Sequence, residues 1–221
     1  MSIASAIRCL KQELPSTVQL VAVSKFKPVE DILEAYQAGQ RDFGENRPQE
    51  LAAKAPVLPA DIRWHFIGHL QTNKVKMVVP YATMIHSVDS ERLLAEIDKT
   101  ARALGKRMDI LLEVHIANEQ TKQGFLPEEA EALATRIDAY PGVRLRGVMG
   151  MATFTDDEAE IRKEFKHLKE IFETLKTDYF AGQPQFKEIS MGMSDDYPIA
   201  IEEGATLIRV GSKIFGARNY N

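Results

Sequence analysis

The chain has 221 residues, 44% of them hydrophobic and 27% charged, enough for a sizeable core in one large domain or two small ones. A net charge of −4 excludes the basic excess of a general nucleic-acid or anionic-membrane binder, leaving only local basic pockets for a small phosphate. The single cysteine, Cys9, excludes an internal disulfide; with no leader-like stretch and no run near the roughly 20 apolar residues of a membrane helix, a cytoplasmic protein is expected.

Ile3, Ile7, Leu10 and Leu14 open the chain as one helical stripe, with Cys9 at its edge as an inert thiol. The first strand is VQLVAVS (18–24), and PVEDILEAYQAG follows as a helix with Pro28 in its first turn and Gly39 as its C′ cap. Three short strands come next: RDFG (41–44), RWHFIG (63–68) and TMIHSV (83–88). SERLLAEIDKTARALG reads as a helix from Ser90 to Gly105, MDILLEVHI (108–116) as a strand, and PEEAEALATRIDAYPG (127–142) as a helix opened by Pro127 and two glutamates. After the strand RLRGVMG (144–150), Ile161, Phe165, Leu168, Phe172 and Leu175 place one apolar face on a long charged helix. FKEISM (186–191) and TLIRVG (206–211) are the last strands.

Strict alternation of strand and helix predicts a parallel sheet. Eight such units, with an extra helix before the first, predict an α/β single-domain (β/α)8 TIM barrel over 1–221; the alternative is an open doubly wound sheet. No linker, low-complexity tract or repeat divides the chain. In such barrels the chemistry sits at the C-terminal strand ends, and phosphate is often bound after strands seven and eight.

Lys25 ends the first strand. It reads either as a desolvated amine that forms a Schiff base with an aldehyde, or as a surface lysine paired with a carboxylate; Lys27 is an equally available amine. Asn46, after the second strand in GENRPQE, offers its amide at the barrel mouth or caps the next helix. His65 and His69 are four apart but straddle a strand end and Gly68, so helical metal-ligand geometry is not expected. His86 ends the fourth strand, either to stack on a flat ring or as a buried, hydrogen-bonded histidine. In GVMGMATF, Gly147 and Gly150 allow close approach to the backbone and Met149 and Met151 offer soft contacts, for a ligand or for core packing.

The last two strands carry the sharper signal. SMGMSDD presents Ser190, Gly192 and Ser194, and RVGSKIFG presents Arg209, Gly211 and Ser212 before Gly216. Such Gly-Ser turns offer backbone N–H groups and hydroxyls to a phosphate, with Asp195 and Asp196 expected as helix caps turned away. An amine at strand one and a phosphate cradle at strands seven and eight ask for a phosphorylated aldehyde, either pyridoxal 5′-phosphate or a sugar phosphate in an aldolase.

VAVSKFKP, FGENRPQE, WHFIGHLQTNK and SMGMSDDYPIAIEEGATLIRVGSKIFG, spread over nearly the whole chain, resemble the signature blocks of the YggS/PROSC family of pyridoxal phosphate homeostasis proteins. The resemblance implies a fold type III pyridoxal-phosphate barrel like the N-terminal domain of alanine racemase. It matches Lys25 to the family's Schiff-base lysine, Asn46 to a residue near the cofactor, and His86 to the ring-side histidine. Ser190, Met191, Gly192, Arg209, Gly211 and Ser212 match phosphate and ring contacts, and Met149 is a further expected contact. Phe26, Val210 and Ser212 depart from commoner SKTKP and RIGT patterns, though serine keeps the hydroxyl.

The family also implies a carrier of the cofactor without turnover, handing it to apo pyridoxal-phosphate enzymes. The alternatives are a racemase or decarboxylase of the same fold and a cofactor-free aldolase. A racemase needs a base on each face of the substrate. Lys25 serves one face, while the chain runs only about ten residues past the eighth strand, where Tyr220 is the remaining candidate. An arginine at the ring nitrogen can only donate, which makes the cofactor a weaker electron sink. A monomer is expected, without metal, nucleic acid or membrane.

Overall fold

Eight parallel strands close into a barrel in chain order. They are β1 (Gln19–Val23), β2 (Asp42–Glu45), β3 (Arg63–Phe66), β4 (Ala82–Val88), β5 (Met108–Glu113), β6 (Val143–Met149), β7 (Glu188–Ser190) and β8 (Leu207–Val210). β8 returns to β1 over four register partners, Gln19↔Leu207 to Ala22↔Val210, which excludes the open sheet. This computed structural model describes residues 2–117 and 123–216, so Tyr220 lies outside the described residues.

Around the barrel run α1 (Ile3–Glu13), α2 (Val29–Gln37), α3 (Pro48–Lys54), α4 (Val75–Val78), α5 (Glu91–Ala103), α6 (Pro127–Ala134), α7 (Glu158–Asp178), α8 (Tyr197–Glu202) and α9 (Ser212–Phe215). Their starts have chemical reasons. Ser2 Oγ accepts from Ser5 N–H at 3.2 Å, Ser90 Oγ from Leu93 N–H at 3.4 Å, and Asp157 Oδ1 from Ala159 N–H at 2.9 Å. The helix expected over 127–142 is shorter. α6 ends at Ala134 and a 3₁₀ turn at Ile137–Ala139 replaces the rest, while Pro141 keeps Tyr140 alone out of the helical region.

Strands of a parallel barrel are covered on both faces, so they read as continuous apolar runs. All six residues of β5 are buried. Val21, Met84, Leu111, Met149 and Leu207 form an apolar cluster inside the barrel. The larger core lies between sheet and helices, where α7 buries Ile161, Phe165, Leu168, Phe172 and Leu175. Phe172 and Phe180 stack on either side of Phe186, with centroids 5.1 and 4.3 Å away. Each such side chain contributes about 1.5–3 kcal/mol by leaving water.

The β7–β8 seam is the thinnest, with one register pair, Ser190↔Leu207. Thr206 reinforces it. Its Oγ1 accepts from Ile189 N–H and donates to Glu188 Oε2, both at 2.8 Å, while its N–H donates to Ile189 O at 3.0 Å. Gly147 is approached closely, but by protein: a Cβ there would lie 1.8 Å from Glu188 O of the adjacent strand, so its role is packing.

Candidate functional site

The C-terminal strand ends open on a cavity of about 670 Å³. Lys25, Asn46, Arg209, Gly211 and Ser212 all line it, gathered from β1, β2 and β8. His86, Met149, Ser190, Met191 and Gly192 are not among its lining residues. Met149 belongs to the apolar cluster inside the barrel, and His86, Ser190 and Met191 are fully buried. His65 and His69 do not share a site: His65 is buried beside His86, while His69 is exposed on the rim, 3.0 Å from Asp89.

The backbone around Lys25 is clamped on both sides. Lys54 Nζ, on α3, donates to Ser24 O at 3.0 Å and to Glu45 Oε1 and Glu50 Oε2, each at 2.8 Å. Ser24 Oγ also donates to Glu45 Oε1, at 2.6 Å. On the far side Phe26 N–H donates to Glu50 Oε2 at 2.8 Å. Phe26 takes φ 62°, the left-handed region that side chains other than glycine rarely occupy, and Arg47 stacks 4.1 Å over its ring. This turn is what ends β1 and leaves Lys25 on the cavity wall. Burial pushes the Glu45 carboxyl up despite the Lys54 ammonium. Partial burial also pushes Glu50 up, but hydrogen bonds from Lys54 and Phe26 outweigh it and hold Glu50 below its usual range. Lys27 Nζ donates to Phe215 O at 2.6 Å, tying β1's exit to α9.

Asn46 does not cap α3; Arg47 holds that position, without a side-chain hydrogen bond. Asn46 Oδ1 is instead buried without a protein partner on the cavity wall. Gly68 permits this placement, since a Cβ there would sit 2.3 Å from the Asn46 carbonyl oxygen. Glu113, at the end of β5, also lines the cavity and is 2% exposed, and its Oε2 has no hydrogen-bond partner. Burial pushes its carboxyl up to about 7, Asp89 adding to the shift and Arg209 opposing it. Arg209 is buried; its Nη1 donates to Ser190 Oγ at 2.7 Å and its Nη2 to Gly150 O at 3.2 Å. Burial lowers its pKa to about 10, opposed by Asp196 and Glu113, so it stays charged at neutral pH. Asp195 and Asp196 are not turned away, for both line the cavity. Asp196 accepts from Met193 N–H, and Gly211 N–H donates to Ser194 Oγ at 3.2 Å.

Two buried acceptors without partners, one buried cation and two lysines, Lys25 and Lys27, thus face a common space. Buried polar atoms are normally satisfied, so these are the atoms a polar ligand would complete. Glu113 and the Lys54 clamp are absent from the sequence-based site. The carboxylate that follows the apolar stretch Ile110, Leu111 and Leu112 was the available signal for Glu113, whereas nothing local marks Lys54.

The alanine racemase N-terminal domain family model matches residues 2–219. The pyridoxal phosphate homeostasis protein of Haemophilus influenzae is 39% identical over 209 residues, 93% of this chain and 87% of that protein. PipY of Synechococcus elongatus PCC7942, solved with pyridoxal phosphate bound, is 39% identical, with a TM-score of 0.88 over 97% of this chain and all of its own. Alanine racemase of Enterococcus faecalis shares the fold alone, at 16% identity and a TM-score of 0.77 over 98% of this chain and 58% of its own. The chain belongs to the alanine racemase N-terminal domain family and, within it, to the pyridoxal phosphate homeostasis proteins.

Proposed function

We propose that the protein binds pyridoxal 5′-phosphate in the cavity, with Lys25 as its Schiff-base lysine, and serves intracellular cofactor homeostasis as a carrier without turnover. The observation that carries this reading is the convergence of Lys25, buried Arg209 and the unpartnered Asn46 Oδ1 and Glu113 Oε2 on one cavity. The relatives' names and the PipY complex support it. When bound, the cofactor supplies an aldehyde that bonds to amines and a ring that withdraws electrons.

The chain's residues do the rest. Lys25 holds the aldehyde end, fixed by the clamp on Ser24 and Phe26. Gly211 and Ser212, at the start of α9, take the phosphate, with Ser194 beside them. Arg209 can only donate, so it keeps the ring nitrogen unprotonated and weakens the electron sink that amino-acid chemistry needs. Glu113 Oε2 holds or releases a proton near neutral pH beside these groups. Ser190 holds Arg209 and His86 holds Ser190, and Met149, Met191 and Gly192 complete the expected set of residues around the ring and phosphate. Acceptors are apo pyridoxal-phosphate enzymes, the working form is a cytoplasmic monomer, and no described helix is long and apolar enough to cross a membrane.

The test is an absorption spectrum of wild type and Lys25→Ala, before and after borohydride. Expected is a yellow wild-type protein whose visible band is lost on reduction, with cofactor mass on the peptide containing Lys25. A colourless protein that stays colourless with added pyridoxal phosphate overturns the reading. Racemisation of alanine or serine above the Lys25→Ala background overturns the absence of turnover.

A further inference from the structure

Arg209, Ser190, His86, His65 and Asp42 form a continuous hydrogen-bonded line through the barrel interior. Arg209 Nη1 is 2.7 Å from Ser190 Oγ, and Ser190 Oγ is 2.8 Å from His86 Nδ1. His86 Nε2 is 2.8 Å from His65 Nδ1, and His65 Nε2 is 3.1 Å from Asp42 Oδ1. None of these residues is more than 5% exposed. Asp42 begins β2 at the barrel's opposite mouth, beside Lys11 and Gln40 in a separate recess, and Arg63 Nε donates to its Oδ1 at 2.7 Å.

The two ends fix every proton between them. Burial pushes the Asp42 carboxyl up, but hydrogen bonds from His65 and Arg63 outweigh it, so it is held below its usual range and can only accept. A guanidinium can only donate. His65 Nε2 therefore donates to Asp42, and with a single proton on the ring its Nδ1 is bare and accepts from His86 Nε2–H. Burial above all, with the Arg209 guanidinium adding to it, holds His86 neutral. Its Nδ1 is then bare and takes the Ser190 hydroxyl proton. Ser190 Oγ, with its proton committed, is left as an acceptor for Arg209. All four bonds point the same way.

We propose that Asp42 and His65 are positioning residues for Arg209, acting across the barrel through His86 and Ser190 to hold the Ser190 oxygen as the guanidinium's acceptor. The proposal rests on the cofactor reading only for what Arg209 then presents to the ring nitrogen. If the Asp42 acceptor is removed, the His65 proton is free to move to Nδ1. His86 must then donate from its own Nδ1 to Ser190 Oγ, in competition with Arg209.

The experiment uses cofactor-free full-length protein with ¹⁵N-labelled histidine and arginine. In wild type both His65 and His86 should carry a single proton, on Nε2. In Asp42→Leu and His65→Phe, each checked for folding by circular dichroism, Arg209 N–H exchange should quicken on the order of tenfold, the equivalent of about 1.4 kcal/mol of local protection. Asp42→Asn, which keeps an accepting oxygen, should restore most of the protection. A wild-type ring protonated at Nδ1, or Arg209 exchange unchanged in the folded variants, overturns the relay. Should wild type fail to bind pyridoxal phosphate, the cofactor reading falls while these same measurements still decide the relay.

Discussion

Lys54 Nζ donates to the carbonyl of Ser24, the residue before Lys25, from a helix 30 positions along the chain. The same ammonium neutralises Glu45, which is fully buried. Replacing Lys54 by methionine keeps the length of the side chain and strands that carboxylate. Loss of one partner from a buried pair costs about 3–5 kcal/mol. Urea denaturation of Lys54→Met should show a loss of that order, and the fraction of cofactor trapped by borohydride should fall with it. A stability within 1 kcal/mol of wild type, to within the ~1 kcal/mol scatter of such measurements, would remove Lys54 from the clamp.

The strain at Phe26 gives a second prediction. A side chain in the left-handed region costs roughly 1–2 kcal/mol, and more for β-branched residues. Phe26→Ile should therefore lower thermal stability by about 1–2 kcal/mol. Phe26→Gly relieves the strain while losing the Arg47 contact, and should stay within about 1 kcal/mol of wild type. The reverse order in thermal melts would mean that ring packing, not backbone geometry, dominates this turn.

Glu113 makes the cofactor-free protein's stability depend on pH. Its folded pKa is raised from 4.5 to about 7. The stability contributed by its protonated form is complete below about pH 4.5 and is lost as pH rises through 7. That loss amounts to about 3 kcal/mol by pH 8. Glu113→Gln, neutral at every pH, should match wild type near pH 4.5 and exceed it at pH 8. Parallel urea curves for the two proteins at both pH values check this; equal stability at pH 8 would refute it.

The two lysines of the SKFK turn should separate cleanly. Both line the cavity, but Lys27 Nζ donates to Phe215 O, and the proposed function assigns the aldehyde to Lys25. Lys27→Met should keep the borohydride-trapped adduct on Lys25 and lose about 1–3 kcal/mol of stability, the usual cost of a charged hydrogen bond. Peptide mass mapping distinguishes this from an adduct that depends on Lys27.

Thr206 is the reinforcement of the β7–β8 seam, and Thr206→Val removes its hydroxyl while keeping its shape. Ile189 N–H and one Glu188 oxygen then lose a partner. A loss of about 1–3 kcal/mol is expected, together with faster amide exchange at Ile189 than at the β4–β5 strands. Uniform exchange across the sheet would argue that the seam is no weaker than its neighbours.

Much of this architecture was legible because the period of the apolar pattern changes with each element. The switch from the continuous run at 18–24 to the spaced Ile32, Leu33 and Tyr36 is local information. Alternation then fixes where strand ends lie, and so brings Lys25, Asn46 and Arg209 to one mouth. Direction within a strand end is not local. Ser190 and Met191 fall in a motif rich in glycine and serine, yet they are buried behind the cavity wall. Which way they point depends on Arg209 and His86 in other strands. The helix over 127–142 is overextended in the sequence because its apolar spacing continues past Ala134 to Ile137, where the chain forms only a 3₁₀ turn. Lys54 looks like any exposed helix lysine until Glu45 is brought against it.

The closure of β8 onto β1 has a consequence for biosynthesis. Lys25 follows the first strand, Arg209 lies in the last, and Gly211 and Ser212 follow that one. Chains emerge from the ribosome N-terminus first, at roughly 5–20 residues per second. A nascent chain that has displayed Lys25 for several seconds still lacks every residue contributed by β8. It can expose an amine but cannot assemble the pocket, so the site switches on only when the chain is nearly finished. Ribosome-bound chains stalled before residue 207 should therefore fail to retain pyridoxal phosphate, whereas chains released after β8 should acquire it in a single step.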